Sequence, residues 1–183
     1  MRMSETHMDD PVFGVLVKER HYGLWWSGQV TLPLPLPGGA TELHLSPEGE
    51  RVPSEARREA GRAALARDDA ARARLETMLH DNYEEVRDDL LEMDDPMFPE
   101  PPDISTPDAV WEHVTLTYLE IPEHGNARGR YFRLGFECDW EAEHGCEVLF
   151  RDGRPVQLTR RGGTSLPGWR DEQERKAAGG TGT

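Results

Sequence analysis

The chain has 183 residues, a length that fits one domain with a substantial hydrophobic core. Acidic residues outnumber basic ones by 35 to 21, for a formal net charge of -14, so nonspecific binding to nucleic acid lacks its main attractive term. No run approaches the ~18 to 20 apolar residues that span a bilayer, and the N-terminus lacks the apolar core of a signal peptide, which predicts a cytoplasmic protein that does not enter membranes.

The N-terminal part carries the pattern of short β-strands. An apolar run at residues 12–17 predicts one strand, and the alternation that starts at Trp25 predicts a second. The second strand is expected to end near Leu32, because Pro33 and the prolines that follow remove backbone donors. Residues 41–46 predict a third strand.

A helical segment follows from residue 54 to about residue 92, where apolar side chains recur at helical spacing. Ser54 is the predicted N-cap, and Asp68 or Asp69 is predicted to cap a second helix after a break. We expect this segment to cover one face of the sheet. Residues 93–108 carry five prolines and predict a surface connection that is also a candidate lid.

The C-terminal part changes to a period of two, which is typical of β-strands. Val114, Leu116 and Tyr118 are predicted to share one face, and alternating residues from Phe132 to Trp140 another. Two further short strands flank a turn at residues 152–153. The predicted fold class is therefore α+β: an antiparallel β-sheet of N-terminal strands plus a C-terminal four-stranded meander, covered by a central helical segment. We expect a single domain over residues 1–160 and a tail over residues 161–183, flexible at its end.

The segment FECDWEAEHGCEV, residues 136–148, predicts a hairpin centred on Ala142. In that register Cys138 faces Cys146 and Phe136 faces Val148, all on the apolar face. Opposed Cβ atoms lie ~4.5 to 5.5 Å apart, slightly wider than the ~3.5 to 4.5 Å of a disulfide. Two buried free thiols are therefore favoured over a disulfide bridge.

The tip of this hairpin is a candidate metal site made of Asp139, Glu141, Glu143 and His144. Carboxylates and an imidazole suit zinc or manganese, and a carboxylate beside a histidine also forms a general acid/base pair. The spacing lacks the paired pattern of a zinc motif. The alternative, which we favour, is a structural motif in which Gly145 supplies a positive φ angle and the acids are solvated. Its members are Cys138, Trp140, Gly145 and Cys146.

The paired aromatics Trp25 and Trp26 are candidate partner-binding residues, because strand alternation directs them to opposite faces. Packing in the core is the alternative, and it is favoured for Trp26. With the acidic charge, these residues suggest a domain that binds a basic protein. No strong catalytic motif is present, so an enzyme is disfavoured, and the oligomeric state is left open.

Three stretches, at residues 13–34, 68–87 and 138–158, resemble a bacterial domain family of unknown function. The resemblance covers roughly residues 11–160 and depends mainly on the Cys-Asp-Trp-acid-x-Glu-His-Gly hairpin. The matching positions are Trp26, Gly28, Leu32, Pro33, Cys138, Asp139, Trp140, Glu143, His144, Gly145, Asp152 and Gly153. The resemblance implies an α+β domain, and similar small acidic domains are associated by context with immunity or accessory roles in bacterial toxin systems.

Three hypotheses follow from the sequence. The first is an acidic cytosolic binding or accessory domain that masks a basic protein partner such as a toxin. The second is a metal-binding domain or metal-dependent hydrolase centred on residues 139–144. The third is a housekeeping domain with a structural role alone.

Overall fold

The computed structural model describes residues 7–20, 24–35, 40–45, 52–92, 100–122, 126 and 128–163. These residues form one eight-stranded sheet and several helices, as the α+β prediction requires. The strands are β1 (His7–Asp10), β2 (Gly14–Arg20), β3 (Leu24–Thr31), β4 (Ala40–Leu45), β5 (Val114–Ile121), β6 (Tyr131–Cys138), β7 (Glu141–Arg151) and β8 (Arg154–Arg160).

The order of the strands in the sheet is the same as their order in the chain. Neighbouring strands are antiparallel except β4 and β5, which run parallel. A parallel pair needs a long crossover, usually helical. Here it contains α1 (Glu55–Leu65), α2 (Asp69–Glu92) and a 3-10 helix (Pro107–Glu112). None of the helices in the described ranges is both long and apolar enough to cross a membrane.

Both helix starts are capped by the predicted side chains. The Ser54 hydroxyl accepts a hydrogen bond from the backbone N–H of Arg57 at 3.4 Å. The Asp68 carboxylate accepts from the N–H groups of Ala70 and Ala71 at 3.0 and 2.9 Å. These bonds satisfy backbone donors that have no partner within the first helical turn. The predicted break near residue 68 is thereby confirmed.

One hydrophobic cluster contains residues of both helices and of the sheet. Leu75, Leu79 and Tyr83 of α2 are buried in it, at no more than 2% exposure. The Tyr83 hydroxyl also donates to the Pro102 carbonyl, and a ring nitrogen of His80 lies 3.2 Å from the Ile104 carbonyl oxygen. Residues 100–106 are therefore fixed against α2, whereas residues 93–99 of the candidate lid lie outside the described residues.

Strand β1 was not predicted, because only Met8 in His7–Asp10 is clearly apolar. Its last residue explains why it is ordered. The Asp10 side chain is buried, forms an ion pair with Arg58 Nε at 2.9 Å, and accepts from the N–H of Val12 at 2.9 Å. Long-range polar contacts of this kind leave no periodic signal in a sequence.

The predicted common face of Val114, Leu116 and Tyr118 is wrong at Tyr118. A β-bulge between Leu116 and Tyr118 reverses the alternation, so Leu119 and Ile121 become the buried residues. Gly135 makes room for the displaced ring, since a Cβ atom there would lie 2.2 Å from a Tyr118 ring carbon.

Candidate functional site

The hairpin of β6 and β7 has a register two residues away from the predicted one. Phe136 pairs with Cys146 and Leu134 with Val148, not with Val148 and Phe150. The predicted pairing about Ala142 is therefore wrong, because the chain already turns at residues 139–140 and the extra residues 142–145 bulge out of β7. A shift of two preserves the inward and outward faces, so the apolar side chains still point into the core.

Gly145 lies in that bulge. Its φ of 65° confirms the predicted positive angle, although the residue belongs to β7 and not to the tip. A Cβ atom at this position would lie 2.2 Å from the carbonyl oxygen of Phe136. Only glycine fits the angle and this close backbone approach together.

The four predicted metal ligands fall into two separate groups. Asp139 Oδ2 lies 3.0 Å from Nδ1 of the distant His113. His144 Nδ1 lies 3.4 Å from Glu141 Oε1 and 3.9 Å from Glu143 Oε2. The turn separates the groups, since β6 ends before Asp139 and β7 begins at Glu141.

Each group is also engaged by its own neighbours. The second carboxylate oxygen of Glu141 lies 3.3 Å from Arg160 Nε, so a guanidinium occupies a place that a cation would take. Within the described ranges, no three His, Cys, Asp or Glu residues form a group that could hold a metal ion. Metal binding at this tip stays a prediction.

Cys138 and Cys146 are buried free thiols. The Cys146 thiol donates to Asn82 Oδ1 at 3.3 Å, and Trp140 Nε1 donates to the same oxygen at 3.0 Å. A hydrogen bond with Cys146, reinforced by burial, raises the pKa of the Cys138 thiol well above its usual range. The structural motif thus joins the hairpin to α2 through one amide oxygen.

Trp26 is 3% exposed and belongs to the core cluster. This burial agrees with the core alternative, which the sequence favours for Trp26. Lys18 Nζ lies 5.5 Å from the centre of the ring. The side chain of Trp25 lies outside the described residues, and its role in binding a partner stays a prediction.

An apolar cavity of about 200 Å³ opens between the end of β3, the junction of the two helices, and the strands β6 and β7. Phe132 and Phe150 stack in its wall with ring centroids 4.5 Å apart. Asp68, Arg72 and Asp152 bring charge to its lining. We call it the apolar cavity; its apolar lining includes Leu32, Leu34, Ala63, Leu75, Phe132 and Phe150.

A second, more open pocket of about 450 Å³ shares Arg72 with the apolar cavity. We call it the acidic pocket; it is lined by Pro35, Arg72, Glu76, Asp108, Trp111 and Glu112. Trp111 Nε1 donates to Glu76 Oε1 at 2.7 Å, and Arg72 Nε lies 3.4 Å from the same oxygen. We call the apolar cavity and the acidic pocket together the groove, because Arg72 lines both.

The acidic residues that line the groove differ in their described partners. Asp152 is held by Arg130 through two hydrogen bonds of 2.9 and 2.6 Å, which keep the pKa of its carboxyl low. Asp68 caps α2. Asp108 and Glu112 form no ion pair with any other residue that the structure describes.

Comparison with known families gives a match over most of the chain. The sequence profile described as Domain of unknown function (DUF6985) matches residues 12–163. This chain belongs to the DUF6985 family. No curated protein and no solved structure matches it. The family resemblance expected from the sequence is thus confirmed at the level of a domain of unknown function.

The groove of this DUF6985 domain lies within the matched range. Four positions that carried the resemblance, Leu32, Pro33, Asp152 and Gly153, line the apolar cavity, although sequence reasoning assigned them only to strand ends and turns. The presence of these four residues among the positions that carried the resemblance was the sequence signal from which the cavity could have been found. The acidic pocket had no such signal, because none of its lining residues is among the positions that carried the resemblance.

Proposed function

We propose that this DUF6985 domain is an acidic binding domain that recognises a basic protein partner at the groove. The observation that carries the proposal is an apolar cavity next to a pocket in which two carboxylates, Asp108 and Glu112, have no ion pair with a described residue. A cavity of about 200 Å³ is below the ~300 to 1,000 Å³ of ordinary small-molecule sites. It suits one side chain of a protein better than a whole cofactor.

The charges of the groove support a basic partner. Among its described lining residues five are acidic, and Arg72 is basic. The hydroxyl of Thr106 and a backbone N–H lower the pKa of Asp108, so its carboxylate stays ionised. The net charge of -14 adds a long-range attraction that accelerates encounters with a cationic protein.

The helical segment has a defined part in this proposal. We infer that α1 and α2 cover one face of the sheet and form a wall of the groove, since Ala64 and Leu75 belong to the shared core cluster. A preformed wall limits the ordering cost of binding. A toxin is one class of basic partner that such a domain can mask, which gives an immunity-like role.

Affinity capture from native lysate at low and high salt tests the proposal. Two acidic-pocket residues are neutralised in Asp108→Asn/Glu112→Gln. The control, Glu85→Gln/Asp89→Asn, removes the same charge from exposed positions on α2. Exposed ion pairs contribute roughly 0.2 to 1 kcal/mol each, so we expect the groove variant alone to bind a captured basic protein roughly 2- to 30-fold more weakly. Equal loss in both variants, or a partner that is not basic, would contradict the proposal.

A further inference from the structure

The groove combines an apolar and a negatively charged environment, which favour different side chains of a ligand. The apolar cavity is walled by side chains that are largely buried, Phe132 at 3% and Phe150 at 5% exposure. The acidic pocket offers Asp108 and Glu112 beside the ring of Trp111. Because Arg72 lines both, a ligand that fills one lies next to the other.

We propose that the partner's contact segment places a large apolar side chain in the apolar cavity and a neighbouring Arg or Lys in the acidic pocket. This inference rests on the proposed function and names the chemistry of the partner. An apolar side chain of leucine, methionine or phenylalanine size suits the cavity. The part of Trp111 that lines the pocket, in a side chain 7% exposed, is apolar and suits the aliphatic stem of the basic residue, whose charged end meets the carboxylates.

Arg72 opposes this ligand. It lies 3.4 Å from Glu76 Oε1, so it already partly neutralises the third carboxylate of the acidic pocket, and its own positive charge repels an incoming cation. Its removal should therefore strengthen the binding of a basic segment. Arg74 on the same helix is exposed and does not line the groove, which makes it a matched control.

The probe is an array of short peptides with acetylated N-termini and amidated C-termini. Each peptide has one variable apolar position and one variable basic position, with a spacer of zero to three glycines between them. Full-length protein is applied at low salt. We expect binding to concentrate where Leu, Met or Phe accompanies Arg or Lys. Replacing the apolar residue by Ala should weaken binding roughly tenfold or more.

Variants of the protein separate the two halves of the groove. Ala63→Leu narrows the apolar cavity and should remove the apolar preference while the basic preference remains. Ala73→Leu, at an exposed position of α2, is the control. Asp108→Asn/Glu112→Gln should do the reverse. Arg72→Gln should raise affinity for the basic peptides severalfold above Arg74→Gln, and thermal melting of each variant confirms that it is folded.

The outcomes distinguish this inference from the proposed function. A basic preference without an apolar preference, or an apolar preference that Ala63→Leu leaves unchanged, overturns the inference but not the acidic binding domain. Equal effects of Arg72→Gln and Arg74→Gln overturn the assignment of the cation to the acidic pocket. No binding by any peptide, together with no salt-sensitive partner in the capture experiment, overturns both proposals.

Discussion

Gly145 shows how a single residue fixes the geometry of the hairpin. Its left-handed backbone angle, and the lack of a Cβ atom that would meet the Phe136 carbonyl oxygen, together permit the bulge that precedes Cys146. Gly153 has a similar φ of 77° in the turn between β7 and β8, but a Cβ atom there would meet nothing within 4 Å. A comparison of the two glycines therefore separates two free-energy costs of adding a Cβ atom: the cost of the positive φ angle, and the cost of the steric conflict with the Phe136 carbonyl oxygen.

The first prediction compares Gly145→Ala with Gly153→Ala. We expect Gly153→Ala to lower the free energy of unfolding by about 1 to 2 kcal/mol, the cost of a left-handed angle for an L-residue. Gly145→Ala should cost roughly 1 to 3 kcal/mol more, because the added methyl group meets a backbone oxygen. Urea denaturation followed by tryptophan fluorescence measures both, and equal losses would contradict this account.

At this scale the sequence predicts conformation better than register. The positive φ of Gly145 and the burial of both cysteines follow from residue type and alternation. The register does not, because a shift of two residues leaves every side chain on its predicted face. Periodicity alone cannot distinguish a turn at Ala142 from one at residues 139–140.

The junction between α1 and α2 sets the position of the groove at the scale of elements. Asp68 ends the linker, caps α2 and lines the apolar cavity, so one residue links helix formation to the shape of the site. The cap was predictable from the sequence, because an aspartate directly precedes a segment with apolar residues at helical spacing. The cavity was not, because it also needs β3, β6 and β7.

We predict that Asp68→Ala lowers the free energy of unfolding by about 0.5 to 2 kcal/mol, whereas Asp68→Asn leaves it nearly unchanged. Asparagine retains the oxygen that accepts from the N–H groups of residues 70 and 71, and alanine does not. Thermal and urea unfolding of the three proteins give the comparison. If the two variants lose the same stability, charge near the helix dipole matters more than the cap.

The elements that escaped prediction share a physical cause. Strand β1 depends on the buried pair of Asp10 with Arg58, which lies 48 positions away in the chain. The bulge in β5 depends on the space that Gly135 leaves for Tyr118. Both features are decided by contacts between distant segments, whereas helix caps and hairpin turns depend on neighbouring residues.

At the scale of the whole molecule, two weakly acidic side chains, a cysteine thiol and a tyrosine phenol, make the free energy of unfolding sensitive to alkaline pH. A hydrogen bond with Cys146 and burial raise the pKa of Cys138. Burial and a hydrogen bond to Glu147 raise that of Tyr118 above its usual range. In both cases the folded state favours the neutral form. Each stabilisation is complete below the pKa of the unfolded chain and is lost as pH rises above it.

We therefore predict that the urea midpoint falls as pH rises beyond about 8.5, the ordinary pKa of a cysteine thiol. Cys138 contributes at most about 1.4 kcal/mol per pH unit, and the partly exposed Tyr118 contributes less, beginning near pH 10. Cys138→Ala should flatten the first part of the decline and Tyr118→Phe the second. An unchanged slope in both variants would rule out these groups as its cause.

The candidate site also belongs to this scale. The net charge of the sequence predicts that a binding partner carries positive charge. No local motif in the sequence predicts where on the domain such a partner would bind. The acidic pocket joins Pro35, Glu76 of α2 and the 3-10 helix, which meet only in the folded chain. The predicted metal ligands are adjacent in sequence, yet the turn divides them, because proximity along a chain does not fix the direction of side chains.

The parallel contact between β4 and β5 has a kinetic consequence. On either side of this contact, each antiparallel strand pairs with a strand that is next to it in the chain. The pairing of Leu45 with Ile121, by contrast, requires closure of the whole helical crossover between β4 and β5. Such non-local contacts require loop closure before they contribute stability. We expect the two antiparallel halves to form first and to join late along this seam. Each doubling of the crossover length should cost only about 0.6 kcal/mol of stability while it slows the joining of the halves.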